Sequence, residues 1–373
     1  MKIGIVTDAF PPTVGGMETF AADFALALAS NNRVTDVDIL AFETLERQQE
    51  PFSHSGIDLT RSGAESTLGR LKRGIRWGIR SEYDVVHSLT LYPGGLITAV
   101  LNNLLSIQRT FVTVHGTDAL SVAEDPIRGR IRKFILEHNG VICLSESTRS
   151  KVAAAYSTDL DDRVIPPGAP NLPDPASEIK LPDTDGQFTV LTVTRLVERK
   201  GIFDLIDAVN PLSNVSLWVV GDGPKRAELE RQCERYGIEN RVTFVGTVGE
   251  AELVSYYDAA DLFCLPSRHV QSAGDVEGLG LVFLEAQKRG VPVVGTDSGG
   301  IPEAIDDGET GYVVEEKNPA ALRDAIRRIA ESPERQSAFG DTAPTFVECQ
   351  FTWEQCVERH LDAYRGLEGA TDT

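Results

Sequence analysis

With 373 residues, 41 % apolar side chains and 7 % aromatics, the chain has the material for two packed domains, which excludes a disordered or fibrous protein. Its 56 acidic against 36 basic residues leave a formal net charge of −20, which excludes a nucleic-acid partner because a phosphate backbone needs a concentrated cationic face. Only nine of the basic residues are lysine, and an acidic, lysine-poor surface points to a halophilic protein that stays soluble in concentrated salt, where screening removes its self-repulsion.

Lys2–Thr7 reads as a first core strand rather than a cleavable signal, and no apolar run reaches membrane-spanning length, so a cytoplasmic location is expected. Strands are then expected at Val37–Leu40, Val85–His87, Thr110–Val114 and Gly140–Leu144, with helices at Met17–Ala29, Gly95–Leu105 and Glu146–Ala155. The prolines from Pro166 to Pro175, with Pro182 beyond, suit no regular element, and 166–187 reads as a linker. Alternation resumes with strands at Thr189–Val193, Ser216–Val220, Val242–Val245, Leu262–Leu265, Val291–Val294 and Tyr312–Val314. Helices are expected between and after them at Ile202–Val209, Lys225–Tyr236, Glu250–Ala259, Val282–Lys288 and Ala320–Glu331. This is an α/β chain of two doubly wound parallel-sheet domains, 1–165 and 188–351. Five scattered cysteines without metal-ligand spacing read as reduced core thiols, with no disulfide and no zinc.

In such sheets ligands bind beyond the carboxyl ends of the strands. Unusual residues cluster there: Gly15 and Gly16, His115 with Gly116, Arg195, Gly221-Asp222-Gly223-Pro224, Pro266-Ser267 and Ser298-Gly299-Gly300. The run Glu277-Gly278-Leu279-Gly280-Leu281-Val282-Phe283-Leu284-Glu285 places carboxylates at either end of a glycine-bearing turn that opens a helix. Free N–H groups and the helix dipole at such a turn favour an anion such as a diphosphate, and a carboxylate two turns further on can accept hydrogen bonds from ribose hydroxyls. Gly15-Gly16 lacks the spacing of a dinucleotide fingerprint, which argues against hydride chemistry and suits contact with phosphate or acceptor.

In chain order, Gly15-Gly-Met-Glu18, Arg195-Leu-Val-Glu-Arg-Lys200-Gly, Gly221-Asp-Gly-Pro224, Glu277 through Glu285, Gly290-Val-Pro-Val-Val294 and Gly299-Gly-Ile-Pro-Glu303 resemble retaining glycosyltransferase family 4, of the GT-B architecture. The approach from Ser267 to Gly280 resembles the branch that includes phosphatidylinositol mannosyltransferases and other enzymes that glycosylate lipid acceptors. The resemblance implies two Rossmann-like domains facing a central cleft. The acceptor domain, 1–165, would be completed by a C-terminal helix within 352–373, and 188–351 would bind the donor. It implies a retaining, metal-independent hexosyltransferase that moves a mannose- or glucose-type group from a GDP- or UDP-sugar to a lipid-linked or glycan acceptor, with no further cofactor.

The resemblance gives roles that the residue chemistry permits. Arg195 and Lys200 would clamp the diphosphate, Glu277 would sit by the donor sugar and Glu285 would hold the ribose. Gly15, Gly16, Gly221, Gly223, Gly278, Leu279, Gly280 and Leu281 would line the donor site, the last four through backbone N–H groups. His115 would hydrogen-bond a sugar hydroxyl. Asp-x-Asp pairs such as Asp36/Asp38 and Asp183/Asp185 are the background of an acidic chain, so no metal site is expected. Other readings remain: a nucleotide-sugar 2-epimerase, a phosphorylase, for which the chain is short, or a non-catalytic scaffold, which the intact set of charged residues disfavours.

On a helical wheel for 68–80, Leu68, Leu71, Ile75 and Ile79 form an apolar stripe beside a basic one of Lys72, Arg73, Arg76 and Arg80. The pattern suits docking on anionic lipid at the inner face of the membrane; it suits equally a helix whose stripe faces the sheet and whose cations pair with local acids. Phe351–Tyr364 is amphipathic, with Trp353 placed to anchor it, and the residues after Gly366 read as frayed.

Overall fold

The computed structural model describes residues 1–366 apart from 9, 12–14, 43–53, 64–65, 81, 106–108, 122, 124, 158–159 and 271–276. The expectation for the tail past Gly366 lies outside the described residues. The chain divides into two compact units, Met1–Pro170 with Thr352–Thr373, and Asn171–Phe351.

The first unit runs β1 (Lys2–Thr7), α1 (Gly16–Ser30), β2 (Asp36–Ala41), β3 (Ile57–Arg61), α2 (Thr67–Arg80) and β4 (Val85–Ser88). It continues with α3 (Gly94–Leu105), β5 (Thr110–Val114), α4 (Thr117–Leu120), α5 (Arg128–Glu137), β6 (Gly140–Cys143), α6 (Glu146–Tyr156) and β7 (Asp162–Val164). The second contains β8 (Phe188–Val193), α7 (Ile202–Val209), β9 (Val215–Val220), α8 (Arg226–Tyr236), β10 (Val242–Gly246) and α9 (Glu250–Ala259). There follow β11 (Leu262–Leu265), α10 (Leu281–Lys288), β12 (Val293–Thr296), β13 (Gly311–Val314), α11 (Pro319–Ala330) and α12 (Pro333–Gln350). Finally, α13 (Trp353–Arg365) returns to the first unit.

Both sheets are parallel, ordered β3-β2-β1-β4-β5-β6-β7 and β10-β9-β8-β11-β12-β13. The order reverses between β1 and β4 in one unit and between β8 and β11 in the other, which are the places where a doubly wound sheet opens a crevice at its carboxyl edge. The central strands are buried on both faces, as continuous apolar runs such as those of β9 and β11 require. Helix starts follow local capping chemistry. Ser145, Asn318, Ser332 and Thr352 accept the N–H of Thr148, Ala321, Arg335 and Gln355, and Pro319 and Pro333 occupy first turns where a missing N–H costs nothing. In the first unit Trp353 of α13 packs its ring against Phe20 and Phe24 of α1, and Asn31 donates to Glu358 at 2.9 Å.

Several expectations need correction. The edge strands β3 and β7 were not anticipated, because an edge strand carries polar residues on its open side, as in Ile57-Asp-Leu-Thr-Arg61 and Asp162-Arg-Val164. The strand expected at Val291–Val294 lies instead at Val293–Thr296: the Val291 N–H closes the end of α10 on Ala286 O at 3.1 Å, and Pro292 has no N–H to give. Four cysteines are buried, but Cys349 is exposed on the outer side of α12, so it is not a core thiol.

The stripe on α2 also splits. Leu71 and Ile75 pack against the core, Gly74 and Gly78 meet Ile97 and Leu101 of α3, and Leu68 and Ile79 stay 60 % and 57 % exposed. Among the described residues no helix is long and apolar enough to cross a membrane.

Candidate functional site

In the second unit, the segments leaving β8, β9, β11 and β12 close on one another at the carboxyl edge. After β8 the chain passes Arg195 and makes one 3-10 turn, Glu198–Lys200, before α7. The loop after β9 lies against it: the Leu196 N–H reaches Asp222 O at 2.9 Å and the Lys225 N–H reaches Leu196 O at 3.0 Å. This close approach explains Gly221 and Gly223, because a Cβ there would fall 2.0 Å from Thr194 O and 2.5 Å from Leu196 O. Their glycine identity therefore has a backbone-packing reason, whether or not a donor touches them.

Glu277 sits where three of these segments meet. Its Oε2 accepts from Lys200 Nζ at 2.6 Å, Arg199 Nη1 at 3.0 Å and Ser267 Oγ at 3.3 Å. Its carbonyl accepts the Gly300 N–H at 3.0 Å, and only a glycine fits at 299, where φ is 63° and a Cβ would lie 2.2 Å from that same carbonyl oxygen. The Glu277 side chain is only 12 % exposed. Burial alone would push its carboxyl up, and the adjacent Lys200 and Arg199 reverse this and hold it below the usual carboxylate range.

The chain then turns through Gly278, the buried Leu279 and Gly280, which caps α10 at φ 86°. The Phe283 N–H turns back to Gly280 O at 2.9 Å, which leaves the N–H groups of Leu281 and Val282 at the helix start without an intrahelical acceptor. On α10 the half-buried Glu285 accepts from the hydroxyl of Tyr257 at 2.7 Å. Tyr257 is fully buried; burial and the Glu285 carboxylate keep its phenol well above the usual range, so it stays a donor.

Outside this core, Arg268 joins Asp204 at 3.1 Å and Glu198 at 3.4 Å, while Arg195 is exposed and forms no ion pair with a described residue. The Ser267–Glu277 approach is described only at its ends. At the near end the His269 N–H donates to Glu316 at 2.6 Å, and residues 271–276 lie outside the described residues.

The remaining predicted residues belong to the first unit. Gly15 caps α1 and Gly16 begins it, exposed and with open space where a Cβ would be. His115 follows β5, half-buried, its Nε2 donating to Leu89 O at 2.9 Å, its backbone N–H held by Asp118 and its ring edge-on to Phe20. That bond places a proton on Nε2, so in the neutral ring Nδ1 is the acceptor. At the β1/β4 reversal, Asp8 accepts from Thr90 Oγ1 at 2.9 Å and Arg70 Nη1 at 2.8 Å. Burial lifts the Asp8 carboxyl, against the pull of those two donors.

Sequence reasoning thus paired Lys200 with Arg195, whereas the structure puts Lys200 with Arg199 on Glu277. It missed Arg199, Tyr257 and the Asp8 cluster. Adjacency to Lys200 was the available signal for Arg199; for Tyr257 and Asp8 the contact depends on packing between elements far apart in sequence.

Residues 14–170 match the family described as Glycosyltransferase Family 4, and residues 175–346 match Glycosyl transferases group 1. The GDP-mannose-dependent alpha-(1-6)-phosphatidylinositol monomannoside mannosyltransferase of Mycolicibacterium smegmatis is 30 % identical over 90 % of this chain and 91 % of its own length. The enzyme of the same name from Mycobacterium tuberculosis is 28 % identical over 99 % of both chains. Among solved structures, sucrose-phosphate synthase from Thermosynechococcus elongatus superposes with a TM-score of 0.82 at 25 % identity, over 98 % of each chain.

Proposed function

Because this chain belongs to glycosyltransferase family 4 and is a hexosyltransferase built of two Rossmann-like domains, we propose that it transfers mannose or glucose, with retention and without a metal, from a nucleoside-diphosphate sugar to a lipid-linked acceptor. The observation that carries the reading is the meeting of Lys200, Arg199 and Glu277 beside the glycine-opened start of α10. The names of the relatives favour GDP-mannose as donor and a phosphatidylinositol glycoside as acceptor.

In the proposed reaction Lys200, Arg195 and the α10 N-terminus offset charge growing on the departing diphosphate. Glu285 accepts from ribose hydroxyls, Glu277 faces the sugar, and His115 accepts from a sugar hydroxyl through Nδ1. The bond from C1 to the phosphate oxygen breaks while the acceptor oxygen bonds to C1 on the same face. The acceptor proton passes to the departing phosphate oxygen. Positive charge at the diphosphate comes from side chains and helix, which supports transfer without Mg²⁺; activity is expected to survive exhaustive chelation, and complete, Mg²⁺-reversible loss in EDTA overturns that part.

For the acceptor, α2 supplies the support. Lys72, Arg73, Arg76 and Arg80 are exposed beside Leu68 and Ile79, and Lys72, Arg76 and Arg80 pair with no described acid. An acidic protein with this basic, apolar-flanked face fits peripheral contact with anionic lipid from the cytoplasmic side. The lysine-poor acidic surface further supports work in concentrated salt, read as a melting temperature that rises with KCl.

The test is nucleoside-diphosphate release from GDP-mannose, GDP-glucose, UDP-glucose and UDP-mannose in high salt, with and without phosphatidylinositol mannosides or soluble glycans. Release that needs the lipid acceptor supports the reading. Release or sugar isomerisation without any acceptor favours an epimerase or hydrolase, and use of soluble glycans alone removes the lipid assignment.

A further inference from the structure

The arithmetic of charge around Glu277 is unusual: two cations and a hydroxyl converge on one oxygen of one nearly buried carboxylate. If Lys200 serves the diphosphate, as the reading above holds, it leaves Glu277. A carboxylate 12 % exposed does not stay ionised at low cost without a partner. We propose that Arg199 is the counter-cation that remains on Glu277 when Lys200 turns to the donor diphosphate, and that it is thereby the positioning residue for the sugar side of the site.

Side-chain chemistry divides the two roles. The Lys200 ammonium sits on a flexible stem with three rotatable donors and re-aims easily, whereas a guanidinium is planar and keeps its charge at any working pH. Arg199 is also anchored, since its carbonyl accepts the Arg268 N–H at 2.7 Å. Arg268 is itself turned to Asp204 and Glu198, so those acids do not compete for Arg199 through their contacts with it. The Glu277 backbone is held from the other side by Gly300.

Among the described residues, the groups that donate to the Glu277 carboxylate are Lys200 and Arg199 from the turn after β8 and Ser267 from the segment after β11, while the Gly299–Gly300 backbone after β12 packs on the Glu277 carbonyl. Two cations make the carboxylate stable before the nucleotide arrives, and one keeps it stable afterwards.

The experiment compares wild type, Arg199→Gln, Arg199→Lys and Lys200→Gln by calorimetry with free GDP and UDP and by donor kinetics across pH. Lys200→Gln is expected to weaken nucleoside-diphosphate binding. Arg199→Gln is expected to leave that affinity near wild type, to lower kcat with the sugar donor, and to move the acid limb of its pH profile up by about one to three units, the range over which a neighbouring cation shifts a carboxylate. Arg199→Lys is expected to restore the limb.

Arg199→Gln that loses free-nucleotide affinity as far as Lys200→Gln does places Arg199 on the phosphates and overturns the proposal; so does an unmoved acid limb. Should Arg199→Gln not fold, a folded Arg199→Lys with a displaced limb overturns it as well. A wild type that neither binds these nucleotides nor turns over any of the four sugars removes the underlying reading instead, an outcome visible before any variant is made.

Discussion

The two units each bury an ionisable cluster, and they treat charge in opposite ways. In the second, Glu277 keeps its charge because Lys200 and Arg199 stand against it. In the first, His87 lies between the hydroxyls of Tyr364 and Thr113 at 2.6 and 2.9 Å, and His360 bonds the Cys356 carbonyl at 2.7 Å. Both imidazoles are fully buried, with no carboxylate bonded to them among the described residues, so burial drives His87 well below its usual range and His360 down to about 4. A scaffold that only has to fasten α13 to its sheet is cheapest when neutral; a site that meets a charged ligand keeps compensated charge at the cost of a fixed set of partners.

The sharpest way to break the comparison is to remove a cation from the Glu277 cluster. Lys200→Ala is expected to lower turnover by roughly 10²–10³-fold, the usual cost of a well-placed charge-stabilising group, and by more than Arg195→Ala, because the Lys200 side chain is held within the cluster, 11 % exposed, whereas Arg195 is exposed. Steady-state kinetics on both variants, with melting curves to confirm folding, decide it. An equal loss in both returns the two residues to a symmetric clamp.

Acid tests the other cluster. His360 is neutral when folded and takes up a proton near pH 6.5 when unfolded, so the unfolded chain binds more protons below that value. Stability contributed by the neutral fold is then fully present above about 6.5 and is lost as pH falls towards about 4, with His360 alone accounting for about 3 kcal/mol over that window. His87 adds to the same slope. Thermal melts from pH 7.5 to 4.5 should show the fall, and His360→Leu should flatten it even if the plateau drops. A variant as pH-sensitive as wild type would place the acid response elsewhere.

A smaller effect concerns Glu285, which accepts from the Tyr257 hydroxyl. Tyr257→Phe deletes a hydrogen bond to a charged group and is expected to weaken binding of a ribose nucleotide by about tenfold. The loss should be much smaller for the 2′,3′-dideoxy nucleotide. Equal weakening of both means that Tyr257 only packs.

How far these clusters were legible follows the same division. Central strands were readable because β1, β5 and β11 are buried on both faces and so are predominantly apolar. The helix α5 was not, since Arg128, Arg130, Arg132 and Lys133 crowd its short apolar face, and α12 was hidden by Pro344 although Phe339, Ala343 and Val347 recur at helical spacing. In the site, the glycines, Lys200 and the two glutamates stand out as residue types at strand ends. Arg199 on Glu277 and Tyr257 on Glu285 are contacts across 78 and 28 residues, fixed by packing that no local spacing encodes.

The α2 face is the weakest charge effect and the one most exposed to salt. Wild type is expected to sediment with vesicles containing anionic phospholipid more than with neutral ones, and Arg73→Glu with Arg76→Glu to abolish the difference at low ionic strength. Each surface cation contributes only about 1 kcal/mol, screened within a Debye length, so in concentrated salt the apolar flank has to carry the binding. Leu68→Asp and Ile79→Asp should then hurt more than the charge reversals. Ile75 is unsuitable for this test because it packs against the core, so its loss would confound docking with stability. Binding to neither kind of vesicle at any salt concentration would leave α2 as an ordinary surface helix and point to a soluble acceptor.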